Sequence, residues 1–411
     1  MTRDARHQAR GQQRRALRCR ILSIAYLVIL AAGASSWSGA ATSASPASPA
    51  SPAVTTPGAP PTVSFAPPTA SPTAPPAAPP VVSAIAPPAK PLPVHVLVIN
   101  MFQLEAAPWI AALQPEREIA VPGLSSDYPL VRCDVLAVCQ MTTGMGHANA
   151  AASMMAVIYS GLFDLRQTYF VIAGIAGIDP ARGTIGSAAW ARYAVDMGIA
   201  HEIDAREIPH GWQDGYFGIL TDAPGKKQKL EYRSEVFQLD EALLQQALSL
   251  SQHVALEDSD DVRAYRRHYP HEPANQPPMV TQCDTLSGDA WWTGQRLGDH
   301  ARRWTALLTD GEGLYCTTQQ EDNATLTALK RGAQSGLLDL KRVAVLRSGS
   351  DFDRPYPQQD ALGALRAQFA VSGAIRIAAD NLVRAGLPLV DAIAQHWDLW
   401  QGGVPSNSAP P

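Results

Sequence analysis

An α/β protein is predicted by three features of one stretch, residues 140–180: an apolar run ending in glycines, an alanine-rich helical segment, and a β-branched run that again ends in glycines. Met141-Thr142-Thr143-Gly144-Met145-Gly146 follows the alternating run Val131 to Val138, which predicts a strand feeding a tight turn. Ala148 to Tyr159 holds no Gly or Pro and predicts a helix ended by Gly161. Tyr169 to Ala173 is short, β-branched and aromatic, and bounded by Gly174 and Gly177, as a buried parallel strand is. Strand, turn, helix, strand is a βαβ unit, and open sheets of such units bind ligands at the strand ends.

The first forty residues read differently. Arg3, Arg6, Arg10, Arg14, Arg15, Arg18 and Arg20 precede the short apolar run Ile21 to Ala34, and Ser38-Gly39-Ala40-Ala41 follows. That layout predicts a signal peptide over residues 1–40 and a periplasmic or secreted protein. An uncleaved leader is the alternative, and it is the one route to a membrane, since spanning needs about 20 apolar residues. Residues 41–92 are Pro, Ala, Ser and Thr with almost no charge, the composition of a disordered linker, and 404–411 reads as a disordered tail. The domain between them, 93–403, belongs to a chain of 46% hydrophobic content, ample for a core. Net charge −4 speaks against nucleic acid as a partner.

Within the domain, Val94 to Ile99 predicts a first buried strand and Met101 to Ala112 a helix, with Glu105 just past the strand end. Gly183 to Ala194 continues the sheet, Trp212 to Lys229 reads as a loop, and Leu239 to Leu250 as a surface helix. Glu257 to Pro278 carries no assignable chemistry. Val280 to Ser287 leads into Gly288-Asp289-Ala290-Trp291-Trp292, an indole pair suited either to ligand stacking or to a core or subunit interface. Gln319-Gln320-Glu321-Asp322-Asn323 precedes a predicted helix from Ala324 to Lys330, where Asp or Asn would also serve as a cap. Lys341 to Leu346 predicts a buried strand that runs into Arg347-Ser348-Gly349-Ser350-Asp351. Asp360 to Ala385 and Leu389 to Trp400 predict two covering helices.

Four cysteines follow the leader: Cys133, Cys139, Cys283 and Cys316. None is in a CxxC pair, so a zinc site is not expected. Export makes a disulfide possible, but Cys133 and Cys139 on one strand would lie roughly 20 Å apart, too far to bond to each other, so any bridge must be long-range and buried free thiols are favoured.

Thr143-Gly144-Met145-Gly146, Ala173-Gly174-Ile175-Ala176-Gly177 and Gly186-Ser187-Ala188-Ala189-Trp190 resemble, in this order, motifs of the nucleoside phosphorylase and nucleosidase superfamily. With the Gln-Glu-Asp-Asn-Ala-Thr stretch, Gln320 to Thr325, the chain is most similar to the purine nucleoside permease branch. The resemblance implies a three-layer α/β/α phosphorylase-like fold around a twisted mixed sheet, and a purine nucleoside as partner. It implies that Asp351 acts at purine N7, that Glu105 lies near the attacking water, and that Trp291, with Trp292 beside it, stacks on the base. Ala176, Gly177, Arg347 and Ser350 would contact substrate. The ribose position falls on Glu321 or, in the other register, on Asn323. Thr143, Gly144, Gly146 and Asn149 would form the phosphate or water pocket. No cofactor is implied. Inorganic phosphate as co-substrate stays open, because phosphate-dependent members carry Ser or Thr where this chain has Asn149. A homo-oligomer stays open too. Two functions are compatible with the likeness: cleavage of the N-glycosidic bond, or binding alone as part of nucleoside transport.

Overall fold

The computed structural model describes residues 90–371 and 373–405; the expected leader, most of the linker and the end of the tail lie outside them. The centre of the sheet is made by three strands that each begin with an unbroken apolar run. These are β1 (Val96–Asn100), β5 (Tyr169–Ile178) and β12 (Val343–Phe352). Both β1 and β12 pair in parallel with β5. A strand covered on both faces has no polar side, so its sequence runs apolar without alternation.

Around this centre lie β2 (Arg117–Ala120), β3 (Leu130–Cys133), β4 (Val138–Thr142), β6 (Ala188–Trp190) and β7 (Tyr193–Asp196). The set is completed by β8 (Val236–Gln238), β9 (Val280–Gln282), β10 (Asp284–Ser287) and β11 (Tyr315–Gln319). The order is β8-β7-β10-β11-β5-β1-β4-β3-β2, with β12 bridging β5 to β6, and β6 to β9. Parallel and antiparallel pairs coexist, so the sheet is mixed.

Alternate residues divide the core into two layers. Leu97, Ile99, Phe170, Ile172 and Val345 face one side, where they meet Met154 and Val157 of α2 (His147–Tyr159) and Leu326 and Leu329 of α6 (Asp322–Gln334). Val96, Val98, Tyr169, Val171 and Leu346 face the other. There they meet Trp109 of α1 (Gln103–Leu113), Leu243 of α3 (Glu241–Ser251) and Leu389 of α8 (Ala374–Gln395). The fold is therefore helix, mixed sheet, helix: the three-layer α/β/α arrangement. The segment before β8 is mostly loop, with one short pair between His201–Glu202 and Tyr216–Phe217. The remaining helices are α4 (Asp260–Arg266), α5 (Gln295–Leu308), α7 (Ala361–Ala370) and α9 (Trp397–Trp400). No helix among the described residues is long and apolar enough to cross a membrane.

Three expectations are corrected by the backbone. The run Val131 to Val138 is not one strand. It is the end of β3, a turn and the start of β4, folded at Asp134, whose Oδ1 accepts from the N–H groups of Leu136 and Val138. The hairpin sets Cys133 opposite Cys139 with Cα atoms 4.0 Å apart, and they form a disulfide; Cys283 and Cys316 form a second. None of the four is a free thiol. Next, Gly174 to Gly177 and Arg347 to Asp351 are not turns beyond strands but the carboxyl halves of β5 and β12. Finally, α8 continues through Pro388, and the break falls before it at Gly373, whose φ of +77° suits glycine.

The two disulfides should differ in weight. Cys133–Cys139 closes a span of 6 residues and Cys283–Cys316 one of 33. On chain entropy the first contributes about 2 kcal/mol and the second about 4 kcal/mol. Urea unfolding of the double alanine variants should therefore show the larger loss for Cys283→Ala/Cys316→Ala.

Candidate active site

Where β1, β5, β11 and β12 end, a pocket of about 240 Å³ opens. Its floor is Ile175, Ala176 and Gly177 on β5 beside Ser350 and Asp351 on β12. One wall is Met101, Phe102 and Glu105, from the turn after β1 and the first turn of α1; the opposite wall is Thr318 to Glu321. Met145, Trp291 and Phe369 stand around the mouth.

Three carboxyl groups share this pocket, each buried for a different local reason. Asp351 is at the end of β12 and accepts from the Ser350 hydroxyl at 2.7 Å. Burial pushes it up to about 7, against the Ser350 hydrogen bond and with the help of the Asp353 charge. Glu105 turns back into the sheet instead of out to solvent: Oε2 accepts from Met101 N–H at 2.7 Å and Oε1 from Ile175 N–H at 2.8 Å. Burial also pushes Glu105 up to about 7; Arg347 opposes the rise and Glu321 adds to it. Glu321 is at the N-terminal edge of α6. Its Oε1 accepts from Gly146 N–H at 3.1 Å, and burial raises it while Arg347 pulls it down.

Arg347 acts on two of them, Glu105 and Glu321. It is 1% exposed, and its guanidinium binds both oxygens of Asp322, at 2.5 and 3.2 Å, the Ile175 carbonyl at 3.1 Å and Glu321 at 3.4 Å. The space it fills exists because residue 174 is glycine: a Cβ there would collide with the guanidinium and with Met101 Sδ. Arg347 therefore supports the pocket from beneath rather than lining it.

Of the residues singled out by sequence, the pocket brings together Glu105, Ala176, Gly177, Trp291, Trp292, Glu321, Ser350 and Asp351. Trp291 is half exposed, donates from Nε1 to Gln368 and lies 5.4 Å from the Phe369 ring; Trp292 is mostly buried in a cluster with Tyr193 and Trp304. Asn323 is elsewhere, bonded to Ser287 and to the carbonyls of Ser234 and Glu235, so Glu321 is the member of that pair in the pocket. The diglycine turn is adjacent but not on the wall. Thr143 Oγ1 donates to the Gly144 carbonyl, Asn149 donates to the Met145 carbonyl, and Gly144 and Gly146 hold φ near +85° and +89°. Its contact is the Gly146–Glu321 bond. Sequence reasoning missed Phe369 and Met145 at the mouth. Met145, an apolar residue between two turn glycines, was the legible one.

The chain has relatives among known proteins. A family model described as "Purine nucleoside permease (NUP)" matches residues 93–405. The chain belongs to the purine nucleoside permease family. It is 42% identical over 317 residues to a probable purine nucleoside permease of Schizosaccharomyces pombe, covering 74% of this chain and 90% of that one. It is 38% identical over 329 residues to a purine nucleoside permease of Candida albicans, covering 78% and 80%. Solved structures that it resembles in fold include the following two. One is the 5'-methylthioadenosine/S-adenosylhomocysteine nucleosidase of Neisseria meningitidis, at 16% identity and a TM-score of 0.44, over 72% of this chain and 99% of that one. Another is the futalosine hydrolase of Helicobacter pylori, at 13% identity and a TM-score of 0.44, over 72% of this chain and 97% of that one.

Two measurements test this electrostatic reading. Arg347→Met should lower the unfolding free energy by about 3–5 kcal/mol, because Asp322 and Glu321 stay buried without their cation. For Asp351 the sign follows from its raised value: between the ordinary 3.8 and about 7 the folded state holds a proton that the unfolded state has lost. Its contribution is complete below 3.8 and is lost as pH rises through about 7. Asp351→Asn should thus gain stability relative to wild type between pH 5 and pH 8 in urea titrations.

Proposed function

We propose that this chain binds a purine nucleoside and hydrolyses the bond between base and ribose. The observation that supports it is one pocket holding Asp351 and Glu105, both pushed up to about 7, together with Glu321. Cleavage leaves the electron pair of the C1'–N9 bond on the base, so a proton delivered to N7 by Asp351 stabilises the departing purine. A carboxyl group of ordinary acidity would have lost that proton at neutral pH. Glu105, its oxygens oriented by the N–H groups of Met101 and Ile175, takes the proton of the water that attacks C1'. Glu321 accepts from the ribose hydroxyls, which a carboxylate does at both oxygens. Trp291 offers a planar face for the base.

Water rather than phosphate is the acceptor in this reading. Three carboxyl groups give the pocket an acidic field, and the nearby guanidinium of Arg347 is already committed to Asp322, Glu321 and the Ile175 carbonyl. A phosphate dianion entering there meets like charge, whereas water does not. An arginine-rich leader of that layout would carry the activity outside the inner membrane, where freeing the base would serve uptake, as the family's name suggests. The second reading, binding without cleavage, is what the same pocket would do if the acid were not delivered.

Base release from inosine or adenosine decides the matter. Release without phosphate, unaccelerated by adding it, is the expected result; dependence on phosphate overturns the choice of water, and tight binding with no release overturns catalysis. Asp351→Asn should slow release by about 100-fold or more with the fold intact. The rate should peak near pH 7, falling above as Asp351 loses its proton and below as Glu105 gains one.

A further inference from the structure

Asp351 has a like-charged neighbour, Asp353, whose role the preceding mechanism does not use. The two flank Phe352, the last residue of β12. A Cβ built at Gly177 would lie 3.4 Å from Asp351 Oδ2 and 3.9 Å from Asp353 Cα. Asp353 is fully buried and rigidly held. Oδ1 accepts from Arg354 Nε at 2.8 Å, and Oδ2 from Tyr315 Oη at 2.9 Å and Arg354 Nη2 at 3.1 Å. Its carbonyl also accepts from Gly294 N–H and the Thr293 hydroxyl, tying down the loop that follows Trp291 and Trp292. Asp351, by contrast, has the neutral Ser350 hydroxyl, and among the described residues no cation pairs with it.

The other charged and titratable groups around this pair are few. Arg354 also meets Asp299 of α5 at 2.9 Å and Asp179, after β5, at 3.8 Å, and Arg302 of α5 binds Asp179. Tyr265 on α4 and Tyr269 after it are phenols held neutral by burial, with Tyr269 Oη donating to the Arg354 carbonyl. Asp179, Asp299 and Asp353 against Arg302 and Arg354 leave one negative charge unbalanced.

We propose that Asp353 is the positioning residue that keeps the proton on Asp351, its carboxylate fixed by Arg354 and Tyr315 as a negative charge behind the acid at neutral pH. This rests on the reading of Asp351 as the proton donor. The surroundings of the two support it: burial raises both, but Arg354 and the Tyr315 hydroxyl favour the ionised form of Asp353, whereas Asp351 has no cation and is pushed further up by the Asp353 charge. Asp353 does not line the pocket and need not touch substrate.

The test is a carboxyl-carbon NMR titration of the full chain, with Asp351→Asn used to assign the Asp351 resonance. In Asp353→Asn the Asp351 midpoint should fall by about one unit, while Asp353→Glu, which keeps the charge, should leave it in place. An unmoved midpoint in folded Asp353→Asn, or an equal fall in Asp353→Glu, overturns the proposal. Should Asp353→Asn not fold, Tyr315→Phe replaces it: Asp353 then holds its own proton more tightly, and the Asp351 midpoint should fall by a smaller amount; no fall counts against. Base release read alongside should drop about tenfold at pH 8 in Asp353→Asn and approach wild type below pH 6. A shifted midpoint in a chain that releases no base at any pH removes the catalytic reading and leaves this one standing.

Discussion

A guanidinium buried in the middle of a sheet has to be paired, and the pairing of Arg347 decides where much else can be. Removing a charge from water costs several kcal/mol unless hydrogen bonds and a counter-charge replace the solvent. Arg347 finds them in Asp322, in Glu321 and in the Ile175 carbonyl, which belong to α6 and to β5. The first turn of α6 is thereby held against β12 and β5. The same residue, Ile175, accepts from Arg347 through its carbonyl and donates its N–H to Glu105. One cation thus sets the relative positions of two carboxyl groups that come from chain segments more than two hundred residues apart.

The same burial that makes pairing obligatory raises the proton affinity of whatever is left unpaired. Asp322, with the shortest contact to Arg347, is the committed counter-ion. Glu105 feels Arg347 only as a weaker opposing charge, and Asp351 has a hydroxyl in place of a cation; both are pushed up to about 7. Acid chemistry at neutral pH does not need an unusual residue here. It needs an ordinary carboxyl group from which a counter-ion has been withheld, in a pocket that excludes most water.

Much of this was legible in the chain. Val94 to Ile99, Tyr169 to Ala173 and Lys341 to Leu346 announced the central strands, because a strand covered on both faces must be apolar throughout. Motif order placed Glu105, Trp291, Glu321 and Asp351 at the ends of such strands, and one pocket holds them. What the sequence hid was local geometry set by other segments. Asp134 folds the chain back and so joins Cys133 to Cys139, yet an apolar run with an aspartate in it reads as a single strand. Asn323 and Glu321 are two residues apart, and only the direction in which α6 leaves β11 puts one in the pocket and the other against Ser287.

The glycines of β5 show why the strand ends were also misjudged. In sequence, Gly174-Ile175-Ala176-Gly177 looks like a turn, since glycine is the residue that turns permit. Here the two glycines sit in extended backbone, and what they supply is the absence of a side chain. Gly174 leaves the volume that Arg347 fills, and Gly177 leaves the approach to Asp351. A substitution at either would have to displace a buried ion pair or the floor of the pocket rather than strain the backbone. Their placement on β5 opposite β12 follows from the parallel register that pairs Gly174 with Arg347 and Gly177 with Asp351. The small residues on one strand and the charged residues on its neighbour are therefore a single arrangement, in which the first makes room for the second.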